Sequence, residues 1–483
     1  MSHDHPLELS GAEMRRLVEA AMERIAEHVD TLPEQPSSFT EGGLRLARSL
    51  AEPLPQDGTP FPKLLDLLFD RAVPRSLNTA GPGYLAYVPG GGLLHSAIAD
   101  LIGDSVNRYI GLFGSAPGLG QIESNVLSWF REMVGYPSEA GGILTSGGSL
   151  SALTALITAR RERLPENFLS GVLYWSDQTH HSLEKAALLA GFPASNFRKL
   201  PTDDLFRLRI DALEAAIEED RQRGLTPFLV VGSAGTTNSG AVDPLEEIAE
   251  VARRHGLWFH ADGAYGGFFV LTEDGKRLLK GIALADSIAL DPHKSLFLPY
   301  GTGALLVRDA GALRRTHSIV ADYMPQSQEV DPSELSPELT RPFRGLRVWL
   351  PLKMHGIGPF REALEEKLAL ARWAAEELKK IEGIEVVAEP QLSTLAFRLN
   401  PGGLETEELN RLNRRLMKAI NDRKRVFLTG TKLGDRFVIR ICVLSFRTHR
   451  DRMEMCLEDI RSAVKESEER PGEPAPRGRT RRI

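Results

Sequence analysis

Cysteine is scarce in this chain: two in 483 residues, Cys442 and Cys456. That excludes a disulfide framework and the small secreted folds that depend on one. Aromatic residues are also few, at 7%. No apolar run reaches the roughly 18 residues that a membrane span requires. Positive charge is not in excess, with 59 Lys and Arg against 65 Asp and Glu and a formal net charge of −6. Such a chain lacks the overall attraction that nucleic acid or anionic membrane would exploit, so neither is expected as a partner. The start, Met1-Ser-His-Asp-His5, has neither the basic nor the apolar segment of a secretory signal, and a cytoplasmic enzyme is expected.

What is present is an ordinary globular mixture, 42% hydrophobic and 26% charged. At about 150 residues per domain, the length suggests roughly two to four folding units. Leu17, Ala21, Ile25, Val29 and Leu32 recur every three or four residues and predict an amphipathic first helix. It must pack either on its own chain or on a second copy. Short apolar runs then alternate with helical segments from Gly141 to Val307. Strands are expected at Gly171–Trp175, Phe228–Gly232, Leu257–Ala261, Ser287–Leu290 and Gly303–Val307, with a helix at Pro244–His255. This alternation predicts a layered α/β domain with a mostly parallel sheet. After Lys353 a long helix through Leu364, Leu368, Ala371, Ala375 and Leu378 precedes strands at Ile384–Val387, Leu395–Leu399 and Phe437–Ile441. A last helix is expected from Met453 to Val464, giving a smaller α+β domain. The Arg- and Pro-rich end reads as a disordered tail.

Chemistry concentrates in a few short segments. Ala289-Leu-Asp-Pro-His-Lys294 places a lysine just after a buried strand. Most lysines are solvated surface groups. In an apolar setting, however, the amine is expected to lose its proton more readily and to condense with an aldehyde. Pyridoxal 5′-phosphate is the obvious aldehyde cofactor, and it makes three demands. A carboxylate must face its pyridine nitrogen. Asp262, in His260-Ala-Asp-Gly-Ala-Tyr265, stands at the end of a neighbouring strand, where α/β proteins place ligands. The phosphate needs backbone N–H groups at a helix start. Thr145-Ser-Gly-Gly-Ser149 supplies small residues there, and it matches neither of the glycine-rich nucleotide fingerprints. The ring also needs a flat partner, and His180 follows the first of the five strands. Its neighbour His181 invites a metal reading, but consecutive residues seldom converge on one ion and no other His/Cys spacing completes a site.

Ser176-Asp-Gln-Thr-His180, His260-Ala-Asp-Gly-Ala-Tyr265 and Pro292-His-Lys294 together resemble the group II pyridoxal-phosphate-dependent decarboxylases of the aromatic-L-amino-acid decarboxylase family. The likeness runs from about Gly81 to Val464. It implies the fold type I, aspartate aminotransferase-like architecture. Residues 1–80 would form a helical arm, 81–360 the large cofactor-binding domain, 361–466 the small C-terminal domain and 467–483 the tail.

The same resemblance implies individual roles. Lys294 would be the Schiff-base lysine and Asp262 the partner of the pyridine nitrogen. Ala264 would lie under the ring and His180 over it. Gly148, Ser149 and His293 would surround the phosphate, and Thr236 would lie near the phenolic oxygen. Asp243 is expected only to cap a helix. Tyr323, 29 residues beyond Lys294 in a polar segment, would return a proton to the substrate after CO₂ leaves. Tyr84, Tyr87, Pro89, Tyr109, Leu112, Tyr300 and Arg440 would line or approach the substrate pocket. That lining favours an aromatic amino acid as the small-molecule substrate, and relatives build the site across a homodimer.

Three positions depart from the eukaryotic members. Ser295 replaces tryptophan, Asp291 replaces asparagine and Gly111 replaces an aromatic residue. Arg108 and Arg344 would suit an acidic side chain if they pointed inward. The alternatives on this scaffold are an oxidative aldehyde synthase and an acidic amino acid decarboxylase, then an aminotransferase or a non-catalytic relative.

Overall fold

The structure is a computed structural model, and it describes residues 7–319 and 329–469. Among the described residues, eleven strands form two sheets. The large sheet contains β1 (Gly141–Thr145), β2 (Gly171–Ser176), β3 (Phe197–Leu200), β4 (Thr226–Ser233), β5 (Trp258–Gly263), β6 (Ser287–Leu290) and β7 (Gly303–Val307). Their spatial order is β1-β7-β6-β5-β4-β2-β3, and only β7 runs against its neighbours. The chain therefore folds as the mostly parallel α/β sheet expected of fold type I. Strands β2, β6 and β7 are buried at every residue. That is the reason they read as unbroken apolar runs rather than as alternating patterns.

The second sheet is antiparallel. It contains β8 (Ile384–Ala388), β9 (Thr394–Leu399), β10 (Thr429–Leu433) and β11 (Arg436–Cys442), in the order β10-β11-β9-β8. Helices Gly358–Lys379, Thr406–Asp422 and Arg450–Glu469 accompany it. Helix Thr406–Asp422 turns Leu409, Leu416 and Ile420 inward, a spacing that keeps one helical stripe on the sheet. The last helix begins three residues earlier and runs five residues further than its apolar pattern suggested. Residues 470–483, most of the expected tail, lie outside the described residues. No described helix is long and apolar enough to cross a membrane.

The first helix, Gly11–Asp30, starts with a capping box between Ser10 and Glu13. None of its residues is buried. Of the five periodic apolar positions only Leu32, past the helix end, is buried. The three strands that sequence patterning passed over are β1, β3 and β10. Each is short, at four or five residues, and each stands at an edge of its sheet.

Strand direction gathers the chemistry at one place. β1, β2, β4, β5 and β6 all run the same way, so their C-terminal ends share one edge of the sheet. Asp262 lies at the end of β5, and the segments that leave the other ends carry Gly147–Ser149, His180, Thr236 and Lys294.

Candidate active site

A cavity of about 270 Å³ opens at that edge. Its lining includes Gly148, Ser149, His180, Thr236, Asp262, Ala264, His293 and Lys294, which are residues from every segment singled out above.

The glycine turn after β1 is built for close approach. Gly147 has φ 148°, a conformation that disfavours a side chain. A Cβ on Gly148 would stand 3.2 Å from the Ala264 Cβ and 3.1 Å from Asp291 Oδ2. Thr145 Oγ1 accepts from Gly147 N at 3.2 Å and shares a hydrogen bond with Ser151 Oγ at 2.8 Å, which fixes the turn. Helix Gly148–Arg163 begins there with no side-chain cap, so its first N–H groups face the cavity as an anion site.

Asp262 closes β5 and accepts from Ala264 N at 3.2 Å. His180 precedes helix His181–Leu189 and acts as its N-cap. Ser182 N donates to His180 Nδ1 at 3.3 Å, which leaves the neutral ring's hydrogen on Nε2. Burial lowers the His180 pKa, against the pull of Asp262, so the ring is uncharged at neutral pH. Ala264 is buried beside the glycine turn. Thr236 shares a hydrogen bond with Ser239 Oγ at 2.8 Å and accepts from Ala241 N at 3.1 Å, so its hydroxyl is held at the cavity wall.

Lys294 lies in the single turn Pro292–Ser295. Its Nζ is 2.9 Å from Asp291 Oδ2. The apolar setting was expected to lower its pKa, and the structure reverses that expectation. Burial does push it down, but Asp291 and Asp262 together hold the ammonium above its ordinary value. His293 Nδ1 lies 2.6 Å from the Thr302 carbonyl, to which it donates, and burial lowers its pKa.

The expected substrate residues are placed less uniformly. The strip Tyr87–Gly90 passes directly over the lysine turn, because a Cβ on Gly90 would fall 2.1 Å from the His293 carbonyl oxygen. Pro89 is buried in it, as is Tyr84 just before it, while Tyr87 is 56% exposed. Tyr300 is exposed beside His293, with ring centroids 5.8 Å apart. Tyr109 donates to the Leu339 carbonyl at 3.3 Å and folds back over Gly111, where a Cβ would be 2.6 Å from its hydroxyl. Leu112 is half-buried beside them and lies off the cavity wall.

Arg440 is only 3% exposed and is likewise off the wall. Its three nitrogens reach the Asn238 carbonyl (3.1 Å), Thr429 Oγ1 (3.2 Å) and the Tyr87 carbonyl (3.2 Å). Arg344 is paired through both terminal nitrogens with Glu338, at 2.8 Å each. Arg108 is exposed beyond helix Leu94–Val106. Tyr323 lies outside the described residues.

Asp243 does not cap the following helix. Its carboxylate accepts from Leu208 N and Ser233 N, both at 2.7 Å, and so ties the end of β4 to a neighbouring loop. Sequence reasoning missed Tyr265. Its ring lines the cavity and its hydroxyl meets Ser393 N (3.0 Å), Ser393 Oγ (2.9 Å) and Thr394 Oγ1 (3.0 Å). Its position beside Asp262 was the one available signal, since a residue three places past a ligand residue shares its turn. Ser295 fills its own buried position, with its hydroxyl donating to the Tyr265 carbonyl.

A buried lysine at the cavity, a carboxylate on the neighbouring strand, a neutral histidine and a glycine-built anion cradle fit pyridoxal 5′-phosphate, and together they define a pyridoxal-phosphate-dependent enzyme of fold type I. Residues 46–400 match the pyridoxal-dependent decarboxylase conserved domain. The chain is 36% identical over 466 residues to an aromatic-L-amino-acid decarboxylase of Bacillus atrophaeus, covering 95% of this chain and 97% of that one. It is 28% identical to a phenylacetaldehyde synthase of Arabidopsis thaliana, covering 81% of this chain and 84% of that one. A crystal structure of Oryza sativa TDC with PLP and tryptamine superposes with a TM-score of 0.91 at 26% identity, over 96% of this chain and 99% of that one. The chain belongs to the pyridoxal-dependent decarboxylase family, and it is a carboxy-lyase acting on an amino acid.

Proposed function

We propose that this chain removes the α-carboxylate of an aromatic L-amino acid as CO₂ and releases the corresponding amine. The observation that carries the aromatic assignment is that buried arginines which could have met an acidic side chain are already committed. Arg344 is spent on Glu338, and Arg440 on two carbonyls and a hydroxyl. Arg347, which reaches the Tyr300 carbonyl at 3.3 Å, is also held by Thr302 Oγ1 and Asp100. Exposed Tyr87 and Tyr300 offer aromatic surface near the lysine turn. The likeness to an enzyme named for aromatic amino acids supports the same reading.

Pyridoxal phosphate, once bound, supplies the electron sink for the bond that breaks. Asp262 would keep a proton at the ring nitrogen, and Lys294 would be the covalent tether. His180, uncharged, would stack on the ring, with Ala264 on the opposite face. Gly148, Ser149 and His293 would hold the phosphate, and Thr236 the phenolic oxygen. Tyr87, Pro89, Tyr109 and Tyr300 would bound the substrate, with Arg440 fixing the Tyr87 strip. Tyr323 would return a proton to the substrate α-carbon. On this reading residues 81–360 act as the cofactor domain and 361–466 as the small domain, with 1–80 as an arm and 467–483 as a tail.

We further propose a homodimer in the cytoplasm. Helix Leu94–Val106 exposes Leu94, Ile98, Leu101, Ile102 and Val106, and the first helix buries none of its residues; both support a second copy as the cover. Light scattering on the purified protein checks this, and a monomer with full activity would refute it.

The function is tested with a panel of amino acids scored for CO₂, amine, aldehyde and peroxide. Amine and CO₂ from an aromatic substrate are expected, with amine yield falling in Tyr323→Phe. Stoichiometric aldehyde and peroxide would assign the chain to oxidative chemistry instead.

A further inference from the structure

Helix Arg344–His355 carries a proline in its interior, Pro351. Proline has no N–H, so the carbonyl four residues back, that of Arg347, loses its helical partner. Ser96 supplies the missing hydrogen: from helix Leu94–Val106 its buried hydroxyl donates to the Arg347 carbonyl at 2.8 Å. Asp100, one turn further along that helix, accepts from Nε of the Arg347 guanidinium. Arg347 is therefore fixed to helix Leu94–Val106 through both its main chain and its side chain.

The other arm of the fork reaches the bend that follows the lysine turn. Nη1 donates to the Tyr300 carbonyl at 3.3 Å and to Thr302 Oγ1 at 3.2 Å. Gly301, between them, has φ 100°, and a Cβ there would stand 3.2 Å from Nη1. Glycine both permits that backbone and leaves the notch beside which the guanidinium lies. Thr302 has holds of its own: its carbonyl accepts from His293 Nδ1 at 2.6 Å, and β7 starts at the next residue. The Tyr300 main chain makes no other hydrogen bond among the described residues. The Tyr300 end of the bend thus leans on Arg347, and Tyr300 stands exposed with its ring centroid 5.8 Å from that of His293.

We propose that Arg347 is a positioning residue for substrate binding: it holds the bend Tyr300–Thr302 against helix Leu94–Val106 and so sets the place of Tyr300 at the rim of the site. A lysine at this position would keep a charge facing Asp100, but its single compact ammonium replaces a fork that serves both neighbours at once. Tyr300 would touch the substrate side chain and not the bond that breaks. A misplaced ring then loses binding that ground state and transition state share, and that loss is read in KM. The inference rests on the assignment of Tyr300 to the substrate rim in the functional reading above.

Steady-state kinetics of the holoenzyme, with the aromatic amino acid that gives most amine in the panel above, tests this as a double-mutant cycle. Arg347→Lys is expected to raise KM about fivefold, with kcat within about twofold of wild type and the cofactor absorbance unchanged. Tyr300→Ala is expected to raise KM by itself. In that background Arg347→Lys should add nothing, because the side chain it positions is gone. Arg347→Gln, shorter and uncharged, should give the same pattern and answers in place of a lysine variant that does not fold. An unchanged KM at position 347, an equal rise in both backgrounds, or a fall in cofactor content would overturn the proposal. A wild-type KM in Tyr300→Ala would overturn the placement of Tyr300 and this proposal with it. Absence of amine from every aromatic substrate would overturn the functional reading, and the proposal that rests on it.

Discussion

Tyr265→Phe isolates a single hydroxyl that joins the two sheets. The phenol sits in the turn after β5 and meets Ser393 N, Ser393 Oγ and Thr394 Oγ1 at the start of β9. Tyr265, Ser393 and Thr394 are all buried. Phenylalanine keeps the ring that packs at Gly235 and removes only the oxygen. The buried Ser393 N–H then loses its acceptor. Orphaning one buried donor costs about 1–3 kcal/mol. With about 2 cal/mol/K of unfolding entropy per residue, the 483-residue chain has an unfolding entropy near 1 kcal/mol/K if it melts as a unit. The expected drop in melting temperature is therefore about 2 °C, read by scanning calorimetry of the apoenzyme. A larger drop would mean that the small domain melts by itself, since a shorter cooperative unit has less entropy to divide by. A change below about 0.5 °C would refute the view that this hydroxyl is a buried tie.

Gly90→Ala would push a methyl group into the His293 carbonyl, 2.1 Å from the ideal Cβ position. The strip and the lysine turn must separate, so retention of the cofactor after gel filtration, followed by absorbance, should fall more than about tenfold; unchanged retention would show that the contact yields freely. Burial pushes the His260 pKa down to about 4. Between that value and 6.5 the unfolded chain binds the proton that the folded one refuses, so acidification through this window removes stability, by about 3 kcal/mol in full. Asp243, pushed up to about 6 by burial, works in the opposite direction over much of the same range. The diagnostic quantity is thus the difference between wild type and His260→Gln, whose unfolding free energy, by urea titration, should fall less steeply from pH 6.5 to 4. Parallel pH profiles would remove His260 from the account.

Much of this protein was legible before folding because its central strands are buried on both faces. Ser287–Leu290 and Gly303–Val307 match the expected bounds residue for residue, since a strand buried on both faces reads as a nearly continuous apolar run. The chemical residues were legible for a related reason. Lys294, His180 and the Gly147–Ser149 turn follow strands within a few residues, and Asp262 lies at the C-terminal end of one, so local patterning marked them. The edge strands β1, β3 and β10 were not legible, because they are short and an edge strand needs less apolar surface.

Tertiary structure alone decided which charges meet. It set Asp291 against Lys294 and so raised a lysine pKa that an apolar setting would lower. It committed Arg344 to Glu338 and Arg440 to backbone carbonyls, and it made Tyr265 the tie between the sheets. Strand direction and apolar runs are properties of a local segment, which sequence order preserves. A hydrogen bond between Tyr265 and Ser393 spans 128 positions, and only the packed chain brings those atoms within 3.0 Å.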